Sequence, residues 1–494
     1  MLLLEIVLLL ILLACFKYLI KLISIAAAYK AKLLCSGVFI SGRSPQSVIQ
    51  EDLEVEDLKY FKPIAAQVDL DKHSASSSLF GLVKRTAVYN PELGCTLVYE
   101  NKPNLTRPQP NPTPLGEGTL VSIPAVTDQK PEMVAAQLLR LRSGQAYSGL
   151  HSNGLLNNPC HFEMAKLNRL DSVLDWAFAE LDPKHQRRTR AVVILHQGKI
   201  VAERYAQGFD QAMALPGWSM AKSVVNALVG ILVWQGKLDL AAPAPVPEWQ
   251  GISDPRREIT LNQLMRMTSG LQFLEKASTP VCDLTKMLMN APNAAAYAAN
   301  KPLRTKPGTA WHYASGTTNI ISRMLRTVLS EDEYHQFPRQ ALFEPLGMDS
   351  ARFEADASGT LVGSSFLYAT ARDWAKFGQL YVQDGIWQGN RILPAGWVLY
   401  SSNPTNSNRL YGAHFWLDIQ QKNKPSDLEK PLPSDAFHAI GYEGQCVSII
   451  PSQELVVVRL GLTRKSSAWR QDRFLNRIID ALAETGSASD AKPN

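Results

Sequence analysis

The chain opens on a nearly unbroken apolar run: residues 1–28, MLLLEIVLLLILLACFKYLIKLISIAAA, carry only Glu5, Lys17 and Lys21 as charges. A helix of that length crosses the hydrocarbon core of a bilayer, so the run predicts a transmembrane anchor. Two readings compete with it: a cleaved signal peptide, for which Ala26, Ala27 and Ala28 offer small residues, and an amphipathic helix lying in the interface. Signal peptides normally begin with positive charge, whereas the first charged side chain here is Glu5, which favours the anchor. Lys17, Lys21, Lys30 and Lys32 follow the apolar start, and the positive-inside tendency would hold what comes after them in the cytoplasm.

Residues 29–100 mix short apolar runs such as LLCSGVFI with acidic and Ser-rich stretches and read as a small accessory region. Residues 101–118 hold five prolines, which favours an extended linker or a strap over the surface, taken here to residue 164. From about 165 the pattern turns regular. LDSVLDWAFAEL has the period of an amphipathic helix, AVVILHQGKIVAERY alternates as a strand pair turning at Gly198, and a long apolar helix follows. Near the other end, CVSIIP and ELVVVRLG read as strands joined at Ser452-Gln453, before a last helix DRFLNRIIDALAE and a loose tail over 486–494. The order predicts an α+β domain over 165–485: an antiparallel sheet built from both ends of the region, flanked by helices, with a mostly helical lobe inserted between.

Composition narrows the function. The 51 basic and 45 acidic residues are scattered, which argues against a nucleic-acid partner. The six cysteines, at 15, 35, 95, 160, 282 and 446, include no C-x-x-C pair or zinc-like spacing, so no metal is expected; one or two disulfides stay open.

Candidate chemistry begins at Ser219-Met220-Ala221-Lys222, which opens the apolar helix that Gly236 can terminate. Three residues make about one turn, so Lys222 shares a face with Ser219. A lysine buried in an apolar helix loses proton affinity and can act as the base that a serine nucleophile needs. Alone the motif is weak: Ser489 and Lys492 repeat the spacing in the tail, and a helix N-cap with a solvated first-turn lysine is the plainer explanation of it. A second element, PGTAWHYASG over 307–316, places Tyr313 and Ser315 at a helix start, where Tyr313 could relay the serine proton as phenolate or as hydrogen-bond bridge. A third, HAIGYEGQ over 438–445, precedes a strand; its glycines permit close approach to a ligand, and a backbone N–H there could pair with that of Ser219 as an oxyanion hole. His312 and His438 invite a Ser-His-Asp triad, but no G-x-S-x-G elbow accompanies them.

In this order and at these separations, the three elements resemble the serine beta-lactamase and penicillin-binding-protein superfamily, in its class C-like branch of esterases, D-aminopeptidases and 6-aminohexanoate-dimer hydrolases. Phrases such as Met267-Thr268-Ser269-Gly270-Leu271 and Phe343-Glu344-Pro345-Leu346-Gly347-Met348 also look like that branch. The resemblance implies a beta-lactamase/transpeptidase-like fold and acyl transfer without a cofactor. Ser219 would be the nucleophile, Lys222 and Tyr313 its proton shuttle, and the backbones of Ser219 and Tyr442 the oxyanion donors. Ser315, His438, Gly441 and Trp311 would contact substrate; Trp311, Trp416 and Phe415 could line a pocket for an aliphatic substrate, although buried aromatics are more often core. Class C beta-lactamases carry K-T-G at the third element, and here HAIGYEGQ lacks that lysine; His438 is a candidate to take its place at the cleft wall, with an ordinary strand histidine as the alternative. The Gly441-to-Gln445 form looks like the 6-aminohexanoate-dimer hydrolases. The implied activity is hydrolysis of a small amide or ester, with an esterase, a D-Ala-D-Ala carboxypeptidase or a weak beta-lactamase as alternatives, and a membrane-anchored sensor or scaffold as the non-enzymatic one. Analogy with wall-active relatives places the catalytic region on the periplasmic side of a bacterial inner membrane, against the charge placement.

Overall fold

In the computed structural model, which describes residues 2–99, 159–276, 279–419 and 430–483, the apolar start is one continuous helix, α1 (Leu2–Phe39). It does not stop at residue 28. Its first half is exposed along every face from Leu4 to Lys21, and its second half is buried, with Ala27, Ala28, Ala31, Leu34 and Cys35 sealed from solvent.

That second half packs on an antiparallel sheet, β1 (Ile64–Asp69), β2 (Ser74–Leu79), β3 (Val83–Asn90) and β4 (Gly94–Leu97), in the order β1-β2-β3-β4. The accessory region therefore has an architecture that composition hid. β2 reads Ser-Ala-Ser-Ser-Ser-Leu, and its inward residues Ala75 and Ser77 are small enough to lie against an alanine-rich helix face, with Ser77 Oγ donating to the Ala27 carbonyl. Such a strand carries little hydrophobic signal.

Two of the lysines expected at the membrane surface are buried in the body instead. Lys30 Nζ donates to the carbonyls of Ile64 (2.8 Å) and Phe61 (3.2 Å) and pairs with Glu54. Lys32 forms an ion pair with Glu354, whose carboxylate also accepts from Ser36 Oγ (2.7 Å) and the Cys95 N–H (2.9 Å). Both partners are almost fully buried, so removing one strands the other's charge. Lys32→Met should destabilise the protein by about 3–5 kcal/mol, and Lys32→Met/Glu354→Gln should recover part of the loss in denaturant titrations.

The larger sheet follows the expected plan. β5 (Thr189–His196) and β6 (Lys199–Tyr205) form a hairpin through Gln197 and Gly198, both at positive φ. β7 (Phe437–Ile440), β8 (Cys446–Ile450) and β9 (Leu455–Gly461) return from the far end of the chain to give the order β7-β8-β9-β5-β6, all antiparallel. Both faces are covered, which is why these strands read as apolar runs. Val192, Ile194 and Val457 pack with Leu174 of α2 (Pro159–Phe178) and with Phe474 and Ile478 of α6 (Gln471–Leu482). Val193, Val456 and Val458 join the main core with α3 (Ala221–Trp234), α4 (Ser315–Val328) and α5 (Ala371–Val382). Gly236, at φ 71°, follows the end of α3 as anticipated. Of the expected linker, residues up to 158 lie outside the described residues, and Pro159 already opens α2; the tail over 486–494 also lies outside them. The described cysteines 15, 35, 95, 282 and 446 are free.

Candidate active site

Ser219 sits in the tight turn Trp218–Met220 that feeds α3, and Trp218 just before it holds a left-handed φ of 49°. A bulky residue there is strained, and such strain persists only where the surroundings enforce it. The surroundings are specific: Trp218 Nε1 donates to Glu443 Oε2 (3.2 Å), and its ring lies against Tyr29, Phe366 and Tyr442.

One helical turn on, Lys222 is buried with Nζ 2.8 Å from Ser219 Oγ, 3.0 Å from Ser315 Oγ and 2.9 Å from the Ser364 carbonyl oxygen. Burial pulls its pKa down to about 8, and the nearby Glu275 charge opposes that pull. Nζ also lies 4.9 Å from the Tyr313 ring centroid. Burial, reinforced by Glu275, pushes the Tyr313 phenol well above its ordinary value despite a hydrogen bond with Ser219, so it remains protonated near neutrality. Its ring is fixed by Trp416 (5.5 Å), Tyr411 (6.0 Å) and Trp311 (6.4 Å between centroids). Ser315, the first residue of α4, gives its N–H to Glu275 Oε2 (2.6 Å) and its hydroxyl to Oε1 (2.9 Å).

Ser219, Tyr313 and Ser315 line one cleft of about 440 Å³ together with Glu275, Trp416, Ile440, Gly441 and Tyr442, and Lys222 lies buried behind Ser219. Gly441 marks the closest approach of the sheet edge to the serine turn: a Cβ added there would lie 2.2 Å from the Gly217 carbonyl oxygen. Its φ of −117° suits any residue, so contact alone demands glycine. Gly441→Ala should push the edge strand away from the serine turn. A displacement near 1 Å at a reacting centre costs on the order of 10²-fold, and the rate of fluorophosphonate labelling reads that loss while circular dichroism stays unchanged.

His438 and Trp311, expected to contact substrate, are placed elsewhere. His438 is 1% exposed, with Nδ1 2.9 Å from Ser448 Oγ, its cross-strand partner, and it is absent from the cleft lining. Burial drives its pKa down to about 3, so it stays neutral and supplies no cation in place of the missing lysine. Trp311 backs Tyr313 instead of lining the cleft, and Phe415 belongs to the core; Trp416 does reach the wall. His312 Nε2 is held by the Phe273 carbonyl, away from any triad role.

Glu275, Ser364 and Asn319 were not anticipated. Asn319 Oδ1 accepts the Ser364 N–H (3.1 Å) and so positions the carbonyl that faces Lys222. Asn319 lies one turn after Ser315 in α4, a spacing that offered a signal. Glu275 lies in irregular chain, and Ser364 acts through its main chain; neither leaves a local mark.

A sheet made from both ends of the domain, an inserted helical lobe, and a serine–lysine pair at their junction define the beta-lactamase/transpeptidase-like class of fold. The chain belongs to the Beta-lactamase family, whose model matches residues 174–480. It is 25% identical over 225 residues to the 6-aminohexanoate-dimer hydrolase of Paenarthrobacter ureafaciens, a match covering 42% of this chain and 56% of that relative, little more than half its length. It is also similar to a solved structure from Bacillus anthracis provisionally assigned as a 6-aminohexanoate-dimer hydrolase (TM-score 0.52, 22% identity, 63% of this chain and 81% of that one). A family VIII carboxylesterase structure aligns with TM-score 0.50 and 16% identity over 64% of this chain and 96% of that one.

Proposed function

We propose that the protein is a membrane-anchored serine hydrolase that cleaves an amide or ester through an acyl-enzyme on Ser219. The observation that carries this reading is the 2.8 Å contact between Ser219 Oγ, which lines the cleft, and the Lys222 amine buried behind it. Ser315 Oγ spends its proton on Glu275, so it accepts from Lys222, as does the Ser364 carbonyl. A neutral amine has two N–H donors and one lone pair; with both donors occupied, the lone pair is left for the Ser219 hydroxyl.

Ser219 Oγ then attacks the carbonyl as its proton passes to Lys222, and the backbone N–H groups of Ser219 and Tyr442 stabilise the oxyanion. Tyr313, held as a phenol, bridges Ser219 to the leaving group and returns the proton to it. Water repeats the sequence and frees the acid. Gly441 keeps the oxyanion strand at the required distance, and Ser315 fixes the amine.

Similarity to the 6-aminohexanoate-dimer hydrolase and to an esterase points to linear amides and esters, and the absence of a cation at His438 disfavours substrates that need a carboxylate held there, beta-lactams among them. The test is a comparison of kcat/KM on a nitrophenyl ester, a linear amide dimer and a D-Ala-D-Ala peptide. The ester and amide should be hydrolysed and the peptide not; turnover of the peptide alone would replace this reading with a carboxypeptidase.

α1 is long and apolar enough to cross a membrane. The burial of Ala27, Ala28 and Ala31 in the body supports a retained anchor, because cleavage near residue 28 would strip a wall from the cleft. We place the body on the outer side of a bacterial inner membrane; with Lys30 and Lys32 paired internally, only Lys17 and Lys21 argue for the opposite orientation. A reporter fused to the C-terminus tests the side.

A further inference from the structure

The cleft that holds Ser219 is walled on its outer side by the helix that carries the membrane-crossing run. Leu22, Ile25, Ala26 and Tyr29 all line it, at positions i, i+3, i+4 and i+7, and so form one stripe along α1, roughly 10 Å of helix. Leu22 follows within two residues of Ile20, the last of the large exposed apolar side chains of the span. Only Lys21 stands between the exposed apolar run and the cleft wall, and its long side chain can reach the headgroup level while its stem stays in the apolar layer. Leu58, Phe61, Leu284, Leu288 and Met289 extend the apolar lining.

A second feature lies at the same end of the body. Ser77 of β2 bonds to the Ala27 carbonyl, while Leu79, further along that strand, clusters with Ile23 and Ala26. β2 thus runs antiparallel to α1, toward the membrane end of the helix, and Arg85 of β3 returns past Ser24, to which it donates at 2.6 Å. The β2–β3 turn, Phe80-Gly81-Leu82, therefore projects beside the emerging span, with Phe80 82% and Leu82 85% exposed. Ile64, paired with Leu79, brings the exposed Lys62 to this end of the sheet, the exposed Lys84 follows the turn, and the exposed Tyr60 and Lys59 lie shortly before Lys62 in the chain. Aromatic and aliphatic tips ringed by lysines are the composition of a surface that settles at the lipid headgroup level.

We infer that the substrate is a membrane-resident acyl lipid, an ester or amide whose apolar chain passes sideways from the bilayer along the α1 stripe and brings its carbonyl to Ser219. The Phe80–Leu82 turn and its lysines seat the mouth of the cleft at the interface. A lipid entering this way leaves hydrocarbon for an apolar wall, so its chain never crosses water, and each methylene held by the cleft adds to binding. The bond between acyl carbon and head-group oxygen or nitrogen breaks as Ser219 Oγ acylates, the head group leaves as alcohol or amine with the proton returned by Tyr313, and water releases the fatty acid. The inference rests on the hydrolase reading and adds the class of substrate.

The test uses the full chain reconstituted in phosphatidylcholine vesicles, with nitrophenyl esters of four- and twelve-carbon acids and a diazirine-bearing acyl phospholipid. kcat/KM should rise at least about tenfold from the short to the long ester. Phe80→Asp/Leu82→Asp should lower hydrolysis of the vesicle-borne long ester by about tenfold or more and leave the soluble short ester unchanged, because the turn lies outside the cleft. Leu22→Trp, which narrows the stripe, should lower the long-to-short ratio, and photolysis should place the lipid label on residues 22–29 even in Ser219→Ala. Equal rates on the two esters with no lipid label on α1 would overturn the inference while leaving the hydrolase intact. Failure to cleave either ester, with Ser219 unlabelled by fluorophosphonate, would remove both.

Discussion

Ser219→Ala abolishes covalent labelling by a fluorophosphonate and lowers ester hydrolysis on the order of 10⁴–10⁶-fold, with folding unaffected. The size of the loss follows from the role: a nucleophile that forms the acyl-enzyme cannot be replaced by its neighbours, and what remains is the stabilisation supplied by binding and the oxyanion donors. The fold should tolerate the change. Ser219 Oγ contacts Lys222 Nζ, but that amine keeps its bonds to Ser315 and to the Ser364 carbonyl, and the Tyr313 hydroxyl that loses its Ser219 partner lines the cleft, where water can take its place. Intact-protein mass spectrometry reads the adduct, and a labelled Ser219→Ala protein would mean that another residue carries the chemistry.

The second large effect is expected at Lys222, and it has a sign. Its pKa is lowered to about 8 by burial, and only the neutral amine can take the serine proton. Below that value the lysine is protonated and the rate falls; above it the amine is free, so kcat/KM should climb with pH through about 8 and level off. Tyr313, whose pKa is raised, keeps its proton across this range and supplies no second rising limb. Lys222→Met should cost about 10²–10⁴-fold and flatten the profile. Lys222→Arg separates two explanations, because arginine keeps the positive charge but has no lone pair to offer at any working pH. If the arginine variant retains the rate, Lys222 acts as a fixed charge and the general-base role is lost.

The legible parts of the molecule share a property. Ser219 and Lys222 lie three residues apart on a helix, so helical geometry alone puts them in contact, and the observed 2.8 Å needs little else. The hairpins at Gln197-Gly198 and beyond Ile450 were likewise readable because alternation and turn residues are local. Tyr313 and Ser315 were found through a spacing that resembles a known family, and their position over Lys222 depends on the packing of α4 against α3. His438 was misjudged for a related reason: its strand was recognised, but which neighbour it meets is set by the register of β7 on β8, which pairs it with Ser448.

Local sequence thus settled the anchor-length helix, the strand-pair ends of the domain and the serine–lysine turn, because each depends on periodicities shorter than a few turns of chain. Long-range packing alone decided that Glu275 orients Ser315, that Gly441 touches Gly217, and that the second half of α1 closes the cleft. Those contacts join residues tens to hundreds of positions apart. Their partners are chosen by burial and by the pairing of buried charges such as Lys32 with Glu354, quantities that exist only once the chain has closed on itself.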